Sequence, residues 1–75
     1  MQFGPRLMRR VPPFGPPEEE MNALRRVLSS CPGVARVLSI APHHKGGYVA
    51  VFDFERQHLD GYIEHLESRG WMNVF

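Results

Sequence analysis

Apolar residues recur along this chain with two different periods, and the period switches at glycine and proline. Met21, Leu24, Val27, Leu28 and Cys31 return at three- and four-residue spacing, which predicts a helix over 17–31. Pro17 suits the first turn of that helix, Glu18, Glu19 and Glu20 sit at the positive end of its dipole, and Pro32-Gly33 ends it. Val34–Ile40 follows at once and is rich in β-branched residues, so it predicts a strand. The segment Pro42 to Gly47 supplies a turn, with Gly46 and Gly47 free to take positive φ. Tyr48–Phe54 then alternates cleanly. Tyr48, Ala50, Phe52 and Phe54 share one face and Val49, Val51 and Asp53 the other, both apolar enough for a central strand. Asp53 is placed to cap a second helix, roughly 54–69, whose stripe is Leu59, Tyr62, Ile63 and Leu66. Gly70 closes that helix, and Trp71–Phe75 reads as a short edge strand.

The N-terminal part is less regular. Residues 1–5 are expected to be disordered. Arg6–Val11 is a candidate first strand, with Leu7 sharing a face with either Arg9 or Val11. Pro12 and Pro13 end any ladder, because proline has no N–H to donate, and PPFGPP (12–17) forms a stiff connector. Phe14 within it is expected to cover an edge of the core. The sum is α-β-β-α-β, or β-α-β-β-α-β if Arg6–Val11 pairs. That is an α+β, ferredoxin-like pattern: one antiparallel sheet with two helices on one face. The expected core is Leu24, Leu28, Val51 or Phe52, Leu59, Ile63 and Leu66.

At 75 residues the chain is one small domain, and every amphipathic element must contribute to its core. Hydrophobic residues make up 43% and charged residues 23%, a balance that excludes wholesale disorder. Net charge is +1, so bulk electrostatics selects no partner. The distribution is uneven, since Arg6, Arg9 and Arg10 fall in a stretch with no acid. Cys31 is the single cysteine, which rules out an intramolecular disulfide and fits a reducing compartment. No apolar run approaches the roughly 18 residues of a membrane span. A cytoplasmic protein without a signal peptide or membrane partner is expected.

The runs LSSCPGVARVLSI, GGYVAVFDF and LDGYIEHLESRGW resemble heavy-metal-associated and ACT-type small domains over about residues 18–72. Those domains share the PGV..V entry to the second strand and a helix ending in Gly-aromatic. Metal carriers of that kind hold soft metal with a CxxC before the first helix. Here that loop is PPFGPP, with no thiol, so the resemblance carries over no metal role. A second resemblance, to RNA-recognition motifs, rests on KGGYVAVFDF, a near miss to their RNP1 strand. Aligned from Gly47, Ala50 and Asp53 stand where aromatics should stack, and a one-residue shift would swap the faces of the strand.

No motif commits the chain to a reaction, and no catalytic residue or cofactor is expected. His43 and His44 lie in a turn and, with Cys31, make a weak metal handler a distant alternative. His58 and His65 are seven apart, about 10.5 Å along a helix, too far to share one ion. The leading expectation is a non-catalytic binding module, interacting with a protein partner or with itself as a homodimer through a sheet edge. Its candidate interface is Trp71, Val74 and Phe75, with His58, Gly61, Tyr62 and His65 on the second helix. The alternative is a nucleic-acid-binding domain using Arg6, Arg9, Arg10, Lys45, Tyr48 and Phe52.

Overall fold

The first strand, β1 (Gln2–Arg10), lies inside the sheet and not at its margin. The computed structural model describes residues 1–11 and 15–74. After β1 come α1 (Pro17–Ser29), β2 (Val34–Pro42), β3 (Tyr48–Phe54), a 3-10 turn (Arg56–His58), α2 (Leu59–Glu67) and β4 (Trp71–Asn73). The described residues thus give an α+β domain with one open antiparallel sheet, ordered β2-β3-β1-β4, and two helices.

Residues 1–5 are not loose: Gln2 already pairs with Asp53 and Phe3 with Phe52. The register then slips between Phe3 and Arg6, where Gly4 and Pro5 hold one extra residue in a bulge. Gly4 has φ +113°, and a Cβ there would stand 2.5 Å from the Ala50 carbonyl oxygen. Only glycine permits that approach. What reads in sequence as a break is therefore a bend inside a strand.

The core lies on one side of the sheet. Phe3 and Met8 from β1, Tyr48, Ala50, Phe52 and Phe54 from β3, and Trp71 from β4 meet Leu24 and Leu28 of α1 and Tyr62 and Leu66 of α2. Phe3, Phe54 and Tyr62 stack edge to face or tilted, with Phe3 5.2 Å from Tyr62 and Phe54 5.7 Å from it. On β2 the residues packed against this core are Val34, Val37 and Ile40, spaced by three. Bulges between Val34 and Arg36 and between Val37 and Ser39 make that spacing possible.

Several boundaries differ from the sequence expectation. Asp53 caps no helix. It faces the N-terminal ammonium at 3.2 Å, while the second helix begins later, through the 3-10 turn. That delay rotates Leu59 out of the core, where it is 39% exposed. Ile63 packs against the core from the flank. Trp71, expected at an exposed edge, is 1% exposed because its side chain turns inward beneath Tyr48, 6.2 Å away. The expectations for Phe14 and Phe75 lie outside the described residues. No helix among the described residues is long and apolar enough to cross a membrane.

Candidate functional site: a bare sheet face and a basic pole

Both helices lie on one side of the sheet, and among the described residues no helix covers the other side. Cross-strand pairing places Leu7 opposite Val49 there, with Ser39 opposite Val51, Ala41 opposite Val49 and Arg9 opposite Met72. Leu7 is buried yet absent from the helix-side core. Leu38, the extra residue of the second β2 bulge, is 41% exposed, and Met72 and Val74 are 48% and 42% exposed. The centre of this face is aliphatic. Its charges, Arg9, Arg36 and Asp53, stand at the margin.

One end of the sheet gathers cations. β1 finishes there with Arg9 and Arg10, and the β2–β3 turn brings His43, His44 and Lys45. Arg9 donates from a guanidinium nitrogen to the Lys45 carbonyl at 3.2 Å, and the Lys45 amide donates to Nδ1 of His43 at 3.2 Å. The His43 and His44 rings stack 4.3 Å apart. Desolvation, and after it the neighbouring charges of His44, Lys45 and Arg9, push the His43 imidazole below its ordinary pKa. The glycines close the turn: Gly46 and Gly47 have φ +93° and +77°, and a Cβ on Gly47 would run into Cγ of Arg9 at 2.8 Å. A cleft of about 430 Å³ opens here, lined among others by Arg9, Arg10, Lys45, Gly46, Tyr48 and Met72.

At the floor of that cleft Glu20 is 7% exposed and accepts a 2.6 Å hydrogen bond from the Tyr48 hydroxyl. Burial first, and then that bond and the carboxylate charge, push the Tyr48 phenol up to about 12. Sequence reasoning assigned Glu20 only to the helix dipole. The signal was its place four residues before Leu24 and eight before Leu28, on the buried row of α1.

The sequence-selected interface residues are dispersed. Tyr62 is 5% exposed and Trp71 1%, so neither is available to a partner; both are core. His58 packs on Gly33, where a Cβ would lie 2.5 Å from its own Cβ. His65 bridges the helices: its Nε2 lies 2.9 Å from the Val27 carbonyl and 3.2 Å from the Ser30 hydroxyl. A carbonyl accepts only, so Nε2 carries the proton. Gly61 is exposed with open space around it. Of that set, Gly61 and Val74 are the described residues that are exposed.

Tyr48 and Phe52, the aromatics selected for the nucleic-acid reading, are 6% and 0% exposed and belong to the helix-side core. Arg6 lies over the Phe3 ring at 4.6 Å and Arg10 over Trp71 at 5.7 Å. Of the cations selected, Arg9, Arg10 and Lys45 come together and Arg6 does not line their cleft. Cys31 lies past the C-terminal end of α1, away from His43 and His44, and burial pushes its thiol pKa up, with Arg69 opposing. Among the described residues no three side chains of His, Cys, Asp or Glu cluster as metal ligands would. Comparison with protein-family models, with curated proteins and with solved structures finds no match for this chain.

Proposed function

We propose that this chain is a non-catalytic interaction module of ferredoxin-like βαββαβ topology that pairs with a second copy of itself through the bare face of its sheet. The element sequence and the strand order β2-β3-β1-β4 support the topology. The observation that carries the function is the composition of that face, aliphatic at the centre and charged at the margin. A protein interface has an apolar core and a polar rim; a base-stacking surface needs aromatics.

Pairing by an edge, the route the sequence suggests, is less well supported. β2 is interrupted by two bulges and ends at Pro42, and β4 is three residues long. Bulges, proline and shortness are the devices that blunt an edge against strand addition. The face is larger than either edge. It spans all four strands, whereas an edge offers one. A two-fold pair sets the same aliphatic patch on both sides, which an unbroken apolar centre satisfies without charge matching.

Sedimentation velocity from about 5 µM to about 0.5 mM tests this over micromolar Kd values. A concentration-dependent dimer is expected, and Val51→Glu on the bare face should weaken it at least about tenfold while circular dichroism stays unchanged. A wild-type chain that remains monomeric throughout, or a dimer indifferent to Val51→Glu, overturns the proposal.

A further inference from the structure

We propose that the basic pole is a binding site for a compact dianion of the phosphate-monoester class. Three cationic side chains, Arg9, Arg10 and Lys45, line one cleft of about 430 Å³. The carboxylate at its floor, Glu20, receives the Tyr48 hydroxyl. The acids of the same helical turn, Glu18 and Glu19, do not line the cleft. Arginine forks suit phosphate geometry, and two of the three cations are arginines.

The turn is shaped for the same task. Gly46 has nothing within 4 Å of where a Cβ would stand, so the wall of the cleft at that point is backbone with space above it. The Arg9 guanidinium is held over the turn by its bond to the Lys45 backbone carbonyl, which fixes that charge beside the turn before any ligand arrives. Pre-positioned cations lower the ordering cost of binding. Val11 and Met72 supply an apolar wall for the organic part of an ester. Lys45 and Arg9 also lower the His43 imidazole pKa, after desolvation and the charge of His44.

Titration of ¹⁵N-labelled protein with inorganic phosphate, followed by NMR, tests the site. The expected result is saturable shifts at Lys45, Gly46 and Gly47, with Kd on the order of 1 mM or tighter, and an upward displacement of the His43 titration. Arg9→Gln and Lys45→Gln keep the length of each side chain and together should weaken binding at least about tenfold. Acetate, a monoanion, should bind more weakly than phosphate. No saturation, equal response to acetate, or shifts spread over Arg25, Arg26 and Arg69 as much as over the pole overturns the inference. Repeating the titration on Val51→Glu separates this result from self-association, because that substitution lies away from the cleft.

Discussion

The Tyr48 hydroxyl donates a hydrogen bond to Oε1 of Glu20 at 2.6 Å, joining the start of the central strand β3 to the first turns of α1. Both side chains are buried, so neither is easily compensated by water. Tyr48→Phe removes the donor and is expected to cost about 1–3 kcal/mol. Chemical denaturation monitored by Trp71 fluorescence reads it.

The same pair sets an alkaline limit. The folded pKa of Tyr48, about 12, exceeds its ordinary 10, so the folded state holds the proton more tightly. That contribution is fully present below pH 10 and is lost as pH rises towards 12. Tyr62, raised by burial against the opposing charge of Arg6, acts in the same direction. Stability measured across this window should fall, and in Tyr48→Phe it should fall less.

Two glycines in the left-handed region separate backbone strain from steric contact. Gly46 has φ +93° and open space; Gly33 has φ +94° and the His58 side chain against it. Gly46→Ala is expected to cost about 1–2 kcal/mol, the left-handed penalty alone. Gly33→Ala adds the collision with His58 and should cost more. Equal losses in parallel urea titrations would mean that His58 moves aside freely.

His65 ties the two helices together through the Val27 carbonyl at 2.9 Å. His65→Ala removes that bond, and a loss of about 1 kcal/mol is expected. For a domain of this size, that lowers Tm by about 4–8 °C.

Cys31 is 4% exposed and its thiol is held protonated by burial. The thiolate is the reactive form, so alkylation by iodoacetamide at pH 8 should be slow in the folded protein and fast in denaturant. Labelling at similar rates in both would show that the α1 C-terminus opens readily.

The legible parts of the chain were those whose periodicity is uninterrupted. α1 and β3 follow strict patterns, and both stand close to where the sequence puts them. β1 and β2 do not alternate, because the bulge at Gly4-Pro5 and the two on β2 each insert a residue and turn the following side chains over. Leu59 was misplaced for a related reason: one 3-10 turn before α2 changes which side of the helix begins in the core. Arg9, Arg10 and Lys45 were visible as cations, but nothing local brings the end of β1 to the β2–β3 turn. That meeting follows from the pairing of β1 with β3, which brings Arg9 to Lys45, 36 positions away.

β1 precedes the other strands in sequence, yet it sits between β3 and β4, and its pairing with β4 extends to Asn73. One edge of β1 is matched by β3, and the other stays open until β4 pairs with it. No N-terminal fragment contains a finished sheet, and closing these distant pairings is the slow, entropically costly part of folding. A stretch that stops short of Trp71 therefore leaves one side of β1 without its partner strand.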